Sequence, residues 1–176
     1  MADLPWDLRG HYQFPDSDMT LREGLAEYYR VNPNLSDPDE IENSTSALYF
    51  RNHDSTHVVF GTHTGLLHEG VNDLWTILGV DISFREYAGG FFATDESKTI
   101  TKQFDFKSML GILWQTARLW PELWRRTRAM KKKWPWNPPA CFLDRPLNEL
   151  RAEFGIEVLR PEIKLGLPPL RKPDRR

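Results

Sequence analysis

The 176-residue chain carries 23 Lys+Arg against 25 Asp+Glu, a formal charge of −2, with 40% hydrophobic and 27% charged residues. That is the composition of a globular domain with room for one sizeable core, not of a fibrous or disordered chain. Cys141 is the only cysteine, which excludes an intrachain disulfide and a cysteine zinc cluster and is compatible with a reducing compartment. No apolar run approaches the roughly 18 residues of a spanning helix, and the opening MADLPWDLRG is unlike a secretory or transit signal.

In chain order, residues 1–17 read as an irregular arm around Trp6 and Phe14. Thr20 to Arg30 has Leu21, Leu25 and Tyr28 on one face, the pattern of a short helix. Asn32-Pro33-Asn34 breaks it. Asp37-Pro38-Asp39-Glu40 is a helix start with a capping aspartate and a first-position proline. That helix runs to about Phe60 and stops at Gly61, with a weak middle at Asn43 to Ser46. After a turn at Gly61 to Gly65, a second helix covers about Leu66 to Leu78, and Gly79 ends it. Residues 80–104 fit either an interrupted helix or a hairpin. Phe106 to Leu119 is helical by pattern, Pro121 ends or kinks it, and Glu122 to Lys133 continues as another helix. Trp134 to Pro139 reads as a rigid connector. Asp144 to Phe154 is the last helix, stopped by Gly155, and residues 157–176 form a Pro/Arg-rich tail. The expectation is an all-α, mainly helical single domain over residues 18–156.

Charge is unevenly spread. The first 50 residues hold three Arg against ten acids, whereas residues 107–133 hold eight Lys/Arg and one acid, Glu122. Five of the seven Trp fall between Trp114 and Trp136. Such a stretch is either a solvated face beside a Trp-rich core or a face for an anionic membrane surface. Nucleic acid is the weakest alternative, because no nucleic-acid motif accompanies the charge.

The chemistry lies in His53-Asp54-Ser55-Thr56-His57, followed by eleven residues and Glu69. On a helix His57 lies about 40° around from His53, and Asp54 about 100° around. Two imidazoles so placed can grip one ion, and a turn at Gly61–Gly65 returns Glu69 to their level. Two imidazoles and two carboxylates suit zinc or another borderline divalent metal. Taken alone, a His pair on a helix is more often a packing or solvent-facing pair. His63 and His68 lie nearby as alternative ligands, but neither continues the arc. His11 has no partner in sequence.

His53, Asp54, His57 and Glu69 together resemble the signature of the coenzyme Q biosynthesis protein four family, His-Asp-x-x-His, eleven residues, Glu. Around it, Tyr49-Phe50-Arg51, Gly61 and Asp73-Leu74-Trp75 agree with the family, as does the closing Leu150-Arg151 to Gly155-Ile156. The likeness touches residues 20–156 and is specific at 49–75 and 146–156. It departs at His68, where the family usually has Gly.

The resemblance implies a ubiquinone biosynthesis protein. Its expected reaction is metal-dependent decarboxylation, with or without oxidation, at ring carbon one of a polyprenyl-hydroxybenzoate-type lipid. The metal ligands would be His53, Asp54, His57 and Glu69. Zinc is the expected ion, which favours decarboxylation over hydroxylation because zinc cannot change oxidation state. The alternative is a non-catalytic lipid-binding scaffold that organises other quinone-biosynthesis proteins. A polyprenyl tail would need an apolar lining, for which Trp75, Phe84, Phe91, Phe92, Leu110, Leu113 and Trp114 are candidates. The expected location is cytoplasmic, peripheral on the inner face of a membrane.

Overall fold

A computed structural model describes residues 4–33, 35, 44–93 and 106–168. Thr20 opens the first helix, α1 (Leu21–Val31), through a reciprocal capping box with Glu23: each side chain accepts the other's backbone N–H. The next two helices are α2 (Ser44–Phe60) and α3 (Leu66–Gly79), followed by a two-residue strand β1 (Val80–Asp81) and helix α4 (Phe84–Ala93). The long α5 (Phe106–Ala129) leads to strand β2 (Trp134–Pro135), which pairs in parallel with β1, Val80 opposite Trp134. Two short helices close the chain, α6 (Leu147–Phe154) and α7 (Pro161–Leu165). The described residues are mainly helical, as the periodicity predicts, and the sheet is confined to this one pair. The predicted start at Asp37 and residues 94–104 lie outside the described residues.

Two local expectations are corrected. Pro121 lies inside α5, which continues past it to Ala129. The proline costs the bond to Ala117, yet Leu119 and Leu123 on either side are buried in the core, so packing against α3 outweighs that loss. Gly70 lets the two helices approach, because a Cβ there would lie 2.5 Å from Thr116 Oγ1. Residues 157–165 are no loose tail: Leu159 and Pro161 are buried, and Arg126 donates to the Glu157 and Val158 carbonyls at 2.8 and 2.9 Å. The N-terminal arm is irregular, as expected, and packs into the body. Tyr12 is fully buried, donates its hydroxyl to the Thr62 carbonyl at 2.8 Å and its backbone N–H to the carboxylate of Glu27, which also pairs with His11.

The core runs between α1, α2, α3, α5 and α6, with Tyr28, Val58, Phe60, Trp75, Leu123, Trp134 and Leu150 buried. Phe60 and Trp75 stack across α2 and α3 with centroids 4.7 Å apart. The Arg151 guanidinium is sealed within this core. It donates to the Tyr12, Phe14, Val58 and Val59 carbonyls at 2.6–2.9 Å, tying the arm to the last turn of α2. Burial pulls its pKa down to about 10, still far above neutrality, so it stays charged. Arg151→Leu strands four carbonyls that lose a charged donor, and it should lower stability by about 3 kcal/mol or more, read as a shift in the urea midpoint.

Candidate metal centre

The turn from α2 to α3 sets the site. Gly61 adopts φ +72°, the left-handed conformation in which a helix can end, and a Cβ there would lie 2.7 Å from Val158. The chain then re-enters α3 at Gly65. Glu69, in the first turn of α3, faces the last turns of α2. His53, His57 and Glu69 come together, each offering a donor atom within 4.8 Å of the others.

The hydrogen-bond pattern assigns the tautomer of His57. Asn72 donates its amide to Thr56 Oγ1 at 2.9 Å, which leaves Asn72 Oδ1 as an acceptor. The Thr62 hydroxyl lies 3.1 Å from that oxygen and 2.9 Å from His57 Nδ1, and with its one proton given to Asn72 it accepts from His57 Nδ1. The proton of His57 is therefore on Nδ1. Its Nε2 lone pair is bare, wholly buried and without a hydrogen-bond partner, yet lies 3.3 Å from Glu69 Oε2. In the neutral ring two acceptors then face each other across that distance, a repulsion that either a proton on Nε2 or a metal cation between them relieves. The residues thus fit a metal ion on chemical grounds independent of any motif.

His53 is oriented by longer contacts. Its Nδ1 lies 3.7 Å from Asp54 Oδ1, and its Nε2 lies 3.5 Å from the Asn72 amide nitrogen, a donor. Burial pushes the His53 pKa down, but the carboxylates of Asp54, Glu69 and Asp73 outweigh it and raise it. For Glu69 burial pushes the pKa up, and attraction to the His57 and His53 imidazoles in their charged form outweighs that and lowers it. Glu69 keeps 34% of its side chain exposed while His57 keeps none, so the cluster opens on the Glu69 side.

Asp54, predicted as a fourth ligand, is not brought into the cluster. Its Oδ2 accepts from the Tyr29 hydroxyl at 2.8 Å. The 100° step from His53 turns it toward α1 rather than α3, behind the imidazole it orients. Sequence reasoning missed Thr62 and Asn72. It also missed Asp73, one helical turn beyond Glu69 and bonded by the Tyr87 hydroxyl at 2.5 Å. Burial raises the Asp73 pKa toward its acid form. The i, i+4 spacing of Glu69 and Asp73 was the available signal. The predicted apolar lining is divided: Trp75 is core, whereas Phe84, Leu110, Leu113 and Trp114 are exposed.

His63 and His68 do form a second group, with Glu162 of α7. Both are buried, with rings stacked 3.6 Å apart. Burial, then His68 and Arg9, push the His63 pKa far below its ordinary value, so its ring is neutral.

No family model, no curated protein and no solved structure matches the chain.

Three protein ligands with one open side is the pattern of a catalytic rather than a closed structural zinc site. Zinc titration against a chromophoric chelator should find one tight equivalent in the wild type and none in His57→Ala. Asp54→Asn should keep the equivalent with affinity weakened about 10–100-fold, as for a residue that orients a ligand; loss as complete as in His57→Ala would make Asp54 a ligand.

Proposed function

We propose that the chain is a metal-dependent lyase that removes the carboxylate from an aromatic acid carrying a polyprenyl tail, in ubiquinone biosynthesis. The observation that carries the metal part is the bare, buried Nε2 of His57 facing Glu69. The substrate class rests on the resemblance of His53, Asp54, His57 and Glu69 with their flanking residues to the coenzyme Q biosynthesis protein four signature. His53, His57 and Glu69 would hold the ion, zinc by donor set. When bound there, such an ion polarises a carboxylate or phenolate and stabilises charge that develops on it.

The chain's own residues account for the remaining steps. Thr62, Asn72 and Asp54 keep both imidazoles aimed, so the site needs no rearrangement as the reaction proceeds. When the bond from ring carbon to carboxylate breaks, carbon dioxide leaves and the electron pair stays on the ring carbon. A proton must then be supplied. Asp73, held toward its acid form and bonded to Tyr87, is the group we assign to that role.

Access for a lipid is supported by α5. Leu110, Leu113, Trp114, Trp120 and Trp124 are all exposed, Trp114 at 67%, and fall within an arc of about 120° on the helix. Arg118 borders that arc and Arg128 falls within it, over the Trp124 ring. An amphipathic face with Trp and Arg suits the interface of an anionic bilayer. Trp134, in the same Trp-rich stretch, is core instead. Among the described residues no helix is long and apolar enough to cross a membrane.

His57→Ala should fold normally by circular dichroism yet accumulate a carboxylated ring intermediate in cells that depend on this protein; loss of partner association without that build-up would favour the scaffold alternative. Asp73→Asn should retain zinc while turnover falls at least about 10²-fold. Trp114→Ala combined with Leu113→Ala should abolish sedimentation with anionic vesicles at low salt, leaving zinc content unchanged.

A further inference from the structure

The second His/His/Glu group has the same residue types as the metal centre but the opposite hydrogen-bond polarity. His63 Nδ1 accepts the Gly65 backbone N–H at 2.9 Å, and His68 Nδ1 accepts the His63 backbone N–H at 3.3 Å. A ring whose Nδ1 accepts in this way carries its proton on Nε2. His68 gives that proton to Glu162, both of whose oxygens lie 3.0 Å away. His63 is only 4% exposed, and its Nε2–H has no acceptor among the described residues. A ring committed in this way offers a donor, not a metal lone pair.

These residues line a cavity of about 230 Å³ whose wall includes Gly65, Leu66, Leu67 and His68, the entry into α3. That end of α3 has no side-chain cap. The backbone N–H groups of Leu66, Leu67 and His68 have no hydrogen-bond partner among the described residues. Arg9 and Gln115 complete the polar wall. Arg9 donates to Thr64 and Asn32, at 3.4 and 3.5 Å, and brings a positive charge. Helix amides, a buried imidazole N–H and a guanidinium are all donors, and the one carboxylate present, Glu162, is turned onto His68.

We propose that this cavity binds an oxyanion, a phosphate or carboxylate group, on the amide end of α3, with His63 and Arg9 as its side-chain donors. The helix end contributes oriented amides and its positive pole. The guanidinium supplies a planar fork that matches either group. The inference is independent of the metal centre, which lies on the α2 side of α3.

Titration calorimetry on the full chain with inorganic phosphate and, separately, benzoate distinguishes the two sources. Saturable binding of at least one is expected. Arg9→Gln, at an exposed position that should not disturb folding, should weaken it at least about 10-fold. Leu66→Pro removes a single amide donor at a position where proline fits, after a residue already extended at ψ 143°, and should weaken it several-fold with unchanged helicity. Glu162→Gln removes the opposing charge and should strengthen it. No saturable binding of either probe, or binding indifferent to Arg9→Gln and Leu66→Pro, overturns the proposal. So does a second zinc equivalent that survives His57→Ala and is lost in Glu162→Gln, which would make the group a metal site.

Discussion

The geometry of the metal centre depends on one hydrogen-bond chain, from Asn72 through Thr62 to His57. It starts on α3, passes through the turn and ends on α2, so it joins the three pieces of backbone that must agree in register. Asn72 also reaches toward His53, and it lies three residues beyond Glu69 on the same helix. A shift of α3 by one residue would break these bonds and move Glu69 away from both imidazoles together. The same chain decides which nitrogen of His57 carries the proton. Position and protonation are thus set by a single set of buried bonds, and neither can be lost without the other.

Behind that chain stands the anchoring of the α2 terminus. Val58 and Val59 give their carbonyls to Arg151, and Gly61 gives its carbonyl to Gln13 at 3.1 Å. The final carbonyls of a helix have no partner within it. Here they are satisfied by α6 and the N-terminal arm, which explains why those two segments, remote in sequence, pack so tightly around a turn between two other helices. The end of α2 is therefore fixed by both segments before any ion is considered. Preorganisation of this kind is what a site needs if its ligands are not to spend binding energy on ordering themselves.

What could be read from the sequence follows from which forces act locally. The helix over α3, its stop at Gly79 and the return of Glu69 to the His pair follow from periodicity and glycine chemistry, which act within a few residues. Asp54 could not be placed this way. Its arc on α2 is calculable, but whether that arc faces α3 or Tyr29 of α1 is a matter of tertiary packing. Pro121 misled for the same reason: a local penalty was overcome by burial of Leu119 and Leu123 against distant residues. The packing of residues 157–165 has no local signal, because it rests on contacts such as Glu162 with His68, 94 residues apart.

Two groups of identical composition, His53–His57–Glu69 and His63–His68–Glu162, flank the first turn of α3, and composition alone cannot separate them. Their backbone and side-chain partners can. Where Nδ1 meets a hydroxyl obliged to accept, or a carboxylate, the ring proton is drawn there and Nε2 presents a lone pair. Where Nδ1 meets a peptide N–H, the proton is driven to Nε2 and the ring becomes a donor. A free imidazole pays little for exchanging tautomers, but a buried ring would have to break a bond to do so, and a broken buried bond costs about 1–3 kcal/mol. The same three residue types thereby suit the opposite ligands we propose for them, a cation on one side of α3 and an oxyanion on the other. This commitment is written in Thr62 and in the amides of His63 and Gly65 rather than in the histidines themselves.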